Sequence, residues 1–301
     1  MRRGTLLGVV IAVGAVSMAV GVAQGPSPAQ LDAAGLVQVK DNLYYIAGEG
    51  PWNRDAFSGG NVGVFIASEG VTIVDTKLPG WGPTILDRIR TVTDKPVVAI
   101  INTHTHGDHV GSNSAFPASV NIIAHENTKA NMEGMDAFQG DGARFLPDTT
   151  YSEKMSIGSG DGQIDLYHFG PGHTNGDTFI VFPALGVIHT GDMFPWKDSP
   201  FMDRSNGGSG VAYPETLAKA VAGISGVDTV IPGHIPMTSW SDFVRYQRFN
   251  ADVLAAARAG LESGQSAEQA MAAFDLSDGY PDYRTDRLQA AFETIYAELQ
   301  E

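Results

Sequence analysis

The sequence predicts an α/β protein built as one large domain. Short runs rich in Val, Ile, Tyr and Phe, bounded by Gly, Pro, Asn or Asp, recur from Leu36 to His234 and are typical of β-strands. Segments with apolar residues at helical spacing lie between and after these runs. The chain has 301 residues, of which 43% are hydrophobic, so it can bury a sizeable core within a single domain.

The N-terminal residues predict an export signal. An Arg-Arg pair precedes an apolar run, 6–22, and the small residues around Ala23 suit a signal peptidase. We therefore expect residues 1–23 to be a cleaved signal peptide and the mature protein to be periplasmic or secreted, without stable membrane association. The alternative is an uncleaved membrane anchor, because the run is just long enough to span a bilayer. Residues 24–35 are predicted to be a linker.

Charge and cysteine content argue against several classes of function. Removing residues 1–23 takes away two of the 19 cationic residues and none of the 34 acidic ones, which moves the formal net charge from −15 to −17. Such a surface repels phosphate backbones, so we expect a small-molecule substrate and no nucleic-acid partner. The chain has no Cys, which excludes disulfides, a lipid-modified cysteine and thiolate metal ligands.

The first half of the domain is predicted to be rich in strands. The predicted strands are 36–40, 43–47, 61–67, 71–74, 96–101 and 120–124. A helix is predicted over 83–92, where the apolar residues share one face. The Gly-rich loop 48–60 carries Trp52 and Phe57, which either close over an apolar part of a substrate or pack against the edge of the domain.

The second half repeats this pattern and ends in helices. Strands are predicted over 163–169, 178–182 and 186–190, with a last strand and turn over 228–234. Helices are predicted over 214–224, 239–262, 266–274 and 286–299. The helical tail, 239–301, is expected to cover the outer face of a sheet. Residues 127–161, rich in Gly, Met and Asp, are predicted to be an insertion between the two halves.

Three of the eight histidines fall within six residues directly after the predicted strand 96–101. They are His104, His106 and His109, and Asp108 lies among them. Imidazole nitrogens and a carboxylate are the ligands expected at a hydrolytic zinc or a similar divalent cation. The density of the cluster therefore predicts a metal site at the end of this strand.

At these residues the chain resembles the metallo-β-lactamase superfamily, whose signature His-x-His-x-Asp-His it fills completely. The resemblance implies that residues 36–301 form an αβ/βα sandwich, in which two mixed β-sheets carry helices on their outer faces. It also implies a metal centre at one edge of the sandwich. Further ligands are expected at three positions that each follow a predicted strand: His173, Asp192 and His234. Asp75 would prop the metal-binding loop, or accept hydrogen bonds in a turn.

The resemblance divides these seven side chains between two divalent cations, which we expect to be zinc. The first would be held by His104, His106 and His173, and the second by Asp108, His109 and His234, with Asp192 bridging both. A water completing these coordination spheres ionises near neutral pH and, as a bridging hydroxide, would be the nucleophile. Asp108 is the candidate catalytic residue that orients this hydroxide or carries its proton. The expected reaction is hydrolysis of an ester, thioester, lactone, amide or β-lactam-type carbonyl.

The sequence around Asp192 is more similar to that of hydroxyacylglutathione hydrolases and lactonases than to that of true zinc β-lactamases. It departs from the glutathione hydrolases at Phe194-Pro-Trp-Lys197, where that group has Cys-Gly-Lys. Lys197 or Arg204 would meet a substrate carboxylate or be solvated loop cations. Two other functions stay open: a mononuclear iron enzyme similar to persulfide dioxygenases, and a catalytically idle metal-binding protein.

Three histidines lie outside the expected ligand set. His125 opens a helical segment and is predicted to be a cap or surface residue. His168 lies within a predicted strand and is expected to pack in the core. His189 alternates away from the position of Asp192 and is expected to be structural.

Overall fold

Two mixed β-sheets form the centre of the molecule, and the computed structural model describes residues 25–277 and 279–301. The first sheet has seven strands, arranged in sequence order. They are β1 (Leu36–Lys40), β2 (Leu43–Ile46), β3 (Val62–Ile66), β4 (Val71–Val74), β5 (Val97–Ile101), β6 (Asn121–His125) and β7 (Thr149–Tyr151). Strands β1 to β4 pair antiparallel, whereas β4 to β7 pair parallel.

The second sheet has six strands and uses the second half of the chain. They are β8 (Lys154–Ile157), β9 (Ile164–Tyr167), β10 (Phe179–Phe182), β11 (Val187–Gly191), β12 (Thr229–Pro232) and β13 (Thr238–Ser239). Only β11 and β12 pair parallel in this sheet. Because parallel neighbours end at the same edge of a sheet, the loops after β4 and β5 lie together, as do those after β11 and β12.

Helices cover the outer faces of both sheets. They are α1 (Pro28–Ala33), α2 (Gly82–Arg90), α3 (Gly107–Val110), α4 (Glu126–Met132), α5 (Tyr213–Gly223), α6 (Trp240–Glu262), α7 (Ala267–Ala273) and α8 (Leu288–Leu299). Ile85 and Ile89 of α2 pack in a core beneath the first sheet. Helices α5, α6 and α8 share a second core with the outward side chains of the second sheet. The predicted sandwich is confirmed, and helices α6, α7 and α8 pack on its outer face.

A third core lies between the two sheets and fixes how they face each other. Phe65 of the first sheet meets Phe182 of the second, with ring centroids 5.2 Å apart. β-Branched residues of both sheets, including Val74 and Ile231, are fully buried in the same layer. Burial of apolar side chains on both faces explains why these strands read as continuous hydrophobic runs in the sequence.

The structure corrects two expectations about the connecting segments. Residues 24–35, predicted as a linker, contain α1, and its following residue Ala34 is fully buried. Residues 127–161, predicted as an insertion, contribute β7 to the edge of the first sheet and β8 to the edge of the second. Both strands are short and polar, so the strand pattern in the sequence is weak there.

The expected signal peptide, residues 1–23, lies outside the described residues. Within 25–277 and 279–301, none of the helices has the length and apolar character needed to cross a bilayer.

Candidate metal centre

The chain brings the seven expected ligands together at one edge of the sandwich. His104 and His106 follow β5, and Asp108 and His109 lie in the short helix α3 that comes next. Three further residues follow strands of the second sheet or close its turns: His173, Asp192 and His234. Their potential ligand atoms fall into three overlapping groups, and the atoms of each group lie within 4.8 Å of one another.

The first group consists of His104, His106 and His173, as the sequence predicted. Nε2 of His173 lies 3.2 Å from Nε2 of His104 and 2.8 Å from Nδ1 of His106. His104 and His173 are buried, whereas the His106 side chain is 20% exposed and lines a cavity. The three inward nitrogens therefore surround one point that is accessible from that cavity.

The second group consists of Asp108, His109 and His234. Nε2 of His109 lies 3.3 Å from Nε2 of His234, and Oδ2 of Asp108 lies 3.7 Å and 3.5 Å from the same two nitrogens. Both histidines are buried, and the Asp108 carboxylate is 22% exposed. This group also surrounds a single point.

Asp192 lies between these two groups and forms the third one with His104 and His109. Its Oδ1 is 3.4 Å from Nε2 of His109 and 3.3 Å from Nε2 of His234, whereas its Oδ2 is 3.6 Å from Nε2 of His173. One carboxylate oxygen thus faces each group. Gly233 allows this placement, because a Cβ at that position would collide with Oδ1 of Asp192.

The outward nitrogen of each histidine contacts a hydrogen-bond acceptor, which fixes where its proton lies. Nδ1 of His109 is 2.7 Å from Oδ2 of Asp75, and Nδ1 of His234 is 3.1 Å from the carbonyl oxygen of Glu49. Nδ1 of His173 donates to the carbonyl oxygen of Phe201. The inward Nε2 atoms of these three residues are therefore the nitrogens that a metal ion would bind.

The same reasoning applies to the remaining two histidines. The Thr103 hydroxyl donates to Oδ2 of Asp75 at 2.7 Å, so it accepts from Nδ1 of His104 at 2.9 Å. Nε2 of His106 donates to Oδ2 of Asp203 at 2.8 Å, which leaves the lone pair of its Nδ1 facing inward. Each of the five imidazoles thus directs its other ring nitrogen at the centre.

Two carboxylates hold this arrangement in place from outside the ligand set. Asp75 is fully buried after β4 and accepts hydrogen bonds from the Thr103 amide, the Thr103 hydroxyl and His109. The expectation that Asp75 props the metal-binding loop is therefore confirmed. Asp203 plays the corresponding part for His106 and was missed in the sequence. The turn sequence Asp-Arg-Ser-Asn at 203–206 indicates that Asp203 accepts hydrogen bonds. It does not reveal that one donor is His106, 97 residues earlier in the chain.

The charge of the site favours a bound cation. Burial and the neighbouring histidines hold the pKa of His104 well below its ordinary value, and burial with His106 lowers the pKa of His173 to about 4. Burial also acts on His109, but three nearby carboxylates outweigh it and raise its pKa well above the usual range. The site therefore combines neutral imidazoles on one side with an excess of negative charge on the other.

The donor set fits two divalent metal ions. Two pairs of inward Nε2 atoms lie 3.2 Å and 3.3 Å apart, so each pair needs a shared proton or a bound cation between its members. Tetrahedral zinc with Zn–N bonds near 2.0–2.1 Å would set two ligand nitrogens about 3.3 Å apart. Oδ1 of Asp192 is buried and accepts no hydrogen bond from the described residues, as expected for an atom that needs a metal. All donors are nitrogen or oxygen, which suits zinc and also iron.

A cavity of about 560 Å³ opens directly onto this centre. His106, Asp108 and Asp192 lie on its floor, and its walls are mainly apolar and aromatic. Phe57 contributes one wall and stacks on His234 with ring centroids 5.8 Å apart. Trp52, the other aromatic residue of the same loop, is 43% exposed and lines a neighbouring cavity instead. The cavity suits a small molecule with an apolar body.

The two loop cations considered as substrate contacts are paired with acidic side chains. Nζ of Lys197 lies 3.1 Å from Asp242 and 2.9 Å from Asp282. Arg204 contacts Glu298 and Glu301 at 3.2 Å and 2.7 Å. Neither residue lines the main cavity. Both therefore tie the Phe194–Gly210 loop to the C-terminal helices.

The three histidines expected outside the ligand set have structural contacts. Nδ1 of His125 caps α4 by accepting from the Asn127 amide, which confirms the predicted cap, although the residue is buried and not on the surface. His168 stacks on His125 with centroids 3.9 Å apart. His189 is fully buried, and its Nε2 lies 3.2 Å from the carbonyl oxygen of Asn61.

Comparison with known proteins agrees with this geometry. The family model described as the metallo-beta-lactamase superfamily matches residues 56–258. A hydroxyacylglutathione hydrolase of Gloeothece citriformis is 31% identical over 133 residues, which cover 43% of this chain and 44% of that protein. The match thus spans less than half the length of that relative.

Solved structures show the same fold at low sequence identity. The stereoselective inverting sec-alkylsulfatase Pisa1 from Pseudomonas sp. superposes with a TM-score of 0.71 at 16% identity, covering 88% of this chain and 50% of that one. A metallo-beta-lactamase from Pontibacter korlensis superposes with a TM-score of 0.61 at 17% identity, covering 72% of this chain and 98% of that one. The shared feature is the αβ/βα sandwich.

Proposed function

Because the chain belongs to the metallo-β-lactamase superfamily, we propose that it is a metal-dependent hydrolase with two zinc ions at the seven-residue centre. The bond that it cleaves is an ester or lactone, or a thioester or β-lactam-type carbonyl of similar reactivity. Hydrolases among its relatives support the reaction class. An exported location, as the N-terminal residues suggest, is part of the same proposal.

The observation that carries this proposal is the convergence of five imidazole nitrogens around Asp192. Five imidazole nitrogens face inward, each fixed by an acceptor on its outer side, and the buried Oδ1 of Asp192 has no hydrogen-bond donor among the described residues. A structural polar cluster would instead pair donors with acceptors. Two bound cations would satisfy every one of these atoms.

The bound ions would lower the pKa of a water molecule to near 7 and polarise the carbonyl group of the substrate. The residues of the chain supply the rest of the chemistry. Asp108 is exposed to the cavity, so we assign it the proton of the attacking water. As the acyl C–O bond breaks, Asp108 returns this proton to the leaving alkoxide, and the products are an acid and an alcohol.

Aromatic side chains border the reacting groups. Phe57, Trp196 and Phe201 line the cavity above the centre, and their rings leave little polar surface beside the substrate. In such a site the interaction between the carboxylate of Asp108 and a developing charge is stronger than in bulk water. The cavity volume suits an acyl or alcohol group of drug-like size.

The test is the variant Asp192→Asn, which keeps the size of the side chain but replaces one carboxylate oxygen with an NH₂ group. We expect the metal content to fall from two zinc ions per chain and hydrolysis of activated aryl esters to fall by at least about 100-fold, because the bridging charge is lost. The matched control is Asp165→Asn. Asp165 is a buried strand residue whose carboxylate contacts Ser156, Gln163 and Tyr167.

Full metal content and normal turnover in Asp192→Asn would refute the bridging role. Equal losses in both variants would indicate general destabilisation, which thermal unfolding of the two proteins would reveal. Metal loss confined to Asp192→Asn is the result that supports the proposal.

A further inference from the structure

Arg287 places a guanidinium group at the wall of the main cavity. It lies directly before α8 and lines both the 560 Å³ cavity and a second cavity of about 250 Å³ beside it. Its guanidinium carbon lies 5.2 Å from the ring centroid of Phe201, and the ring of Phe201 lies 6.0 Å from that of His106. One aromatic ring thus spans the gap between this cation and the metal centre.

The side chain of Arg287 has an unused hydrogen-bond donor. Its Nε is buried and has no acceptor among the described residues. The two acids that line the second cavity have other partners: Asp286 pairs with Arg284, and Asp198 accepts from the backbone amides of Ser199 and Arg287. A buried donor without an acceptor is costly, so an acceptor supplied by a ligand would be favourable there.

The walls between Arg287 and the metal centre are aromatic. Trp196 is buried and its ring centroid lies 5.5 Å from that of His234, whereas Phe57 stacks on the same histidine. Phe201 completes the wall on the other side and is 44% exposed. Flat apolar surfaces of this kind favour an aromatic group in the bound molecule.

From these observations we propose that Arg287 determines substrate specificity by binding a carboxylate carried on the aromatic body of the substrate. The planar guanidinium matches a carboxylate in two parallel hydrogen bonds, and the aromatic walls hold the ring between it and the metals. This inference rests on the proposed hydrolase function and names its substrate class: aryl esters or lactones with an anionic substituent.

This specificity residue belongs to the C-terminal segment of the chain. Arg287 lies beyond residues 56–258, which match the family model. The segment is held against the body of the domain by several contacts, including a hydrogen bond of 2.8 Å from the Arg284 amide to the Lys197 carbonyl oxygen. The backbone that carries Arg287 is therefore held beside the cavity before a substrate binds.

The test compares two esters that differ only in charge, 4-acetoxybenzoate and its neutral amide, 4-acetoxybenzamide. In Arg287→Leu we expect kcat/KM for the anionic ester to fall roughly 10- to 100-fold relative to the neutral one, the range typical of a charge-assisted hydrogen bond. Arg287→Lys should retain part of the preference. The control Arg258→Leu removes the same charge from an exposed position on α6 and should change neither ester.

Equilibrium binding provides a readout that does not depend on turnover. Calorimetric titration of the metal-containing protein with 2-naphthoate should show tighter binding than with 2-naphthamide, and Arg287→Leu should abolish that difference while unfolding at a similar temperature. If naphthoate contacts only the metals, it will bind the wild type and Arg287→Leu equally tightly. That result would overturn the inference.

The two proposals can fail separately. Hydrolysis of both esters with no dependence on Arg287 would overturn the specificity role and leave the hydrolase intact. In the opposite case, the protein holds two metals and cleaves neither ester, while naphthoate binding still depends on Arg287. That result would support the carboxylate subsite and contradict ester hydrolysis.

Discussion

Replacing Asp203 by Asn is expected to weaken metal binding without touching a metal ligand. Asp203 accepts from Nε2 of His106 and Nδ2 of Asn206 through one oxygen, and from the Ser205 amide and hydroxyl through the other. An Asn must point its NH₂ group at one of these sets of donors. If the NH₂ group faces His106, Nε2 of His106 must accept a hydrogen bond and the imidazole proton moves to Nδ1. A metal ion needs the lone pair of that same Nδ1.

The expected magnitude follows from the number of bonds that depend on this carboxylate. Loss of such an outer partner of a ligating histidine typically weakens metal binding or activity 10- to 100-fold, or about 1.4–2.7 kcal/mol. Competition with a zinc-binding dye measures the affinity directly, and esterase activity at limiting zinc should fall in parallel. The control is Asp165→Asn, since Asp165 also accepts from a Ser hydroxyl and a side-chain amide but supports no ligand. Unchanged zinc affinity in Asp203→Asn would refute the reasoning about the His106 proton.

Two further variants test residues outside the ligand set. His125→Ala should keep its full metal content but lose about 1–2 kcal/mol of stability, because its Nδ1 caps α4 and its Nε2 donates to the Ser152 carbonyl oxygen at 2.7 Å. Thermal unfolding and elemental analysis check this, and loss of metal would mean that His125 is a ligand. Burial lowers the pKa of Lys77 from 10.5 to about 7, so the unfolded chain binds more protons between those values and stability should rise with pH there. The free energy of unfolding of the wild type and of Lys77→Met can be measured in urea at pH 6.5 and 9. Relative to the variant, the wild type should be more stable at pH 9 than at pH 6.5. A difference that stays constant would contradict the lowered pKa.

The central strands and long helices could be predicted from the sequence because burial leaves a clear pattern. Strand β4 is predicted to the residue, and α6 to within one residue at its start, where Ser239 provides the cap. The dense cluster of His104, His106, Asp108 and His109 could be recognised from its spacing alone. The further ligands, His173, Asp192 and His234, were expected from the family resemblance, and each directly follows a Gly.

The features that the sequence did not reveal depend on contacts between distant segments. Strands β7 and β8 are three and four residues long and lie at sheet edges, where half of each strand faces solvent and the hydrophobic period is lost. Asp203 and Arg287 are ordinary polar residues of a loop and of a helix start. Their proximity to His106 and to the cavity arises only from the way the C-terminal half folds over the first sheet.

Metal content per chain is the decisive measurement for a two-metal hydrolase. Elemental analysis of protein purified without added metal should find two zinc ions per chain, and the number should fall when Asp192 is replaced. One iron ion per chain would contradict the two-metal hydrolase and favour oxygen-dependent chemistry at the His104, His106 and His173 group. Failure to bind any metal after reconstitution would contradict the assignment of the seven converging side chains as metal ligands.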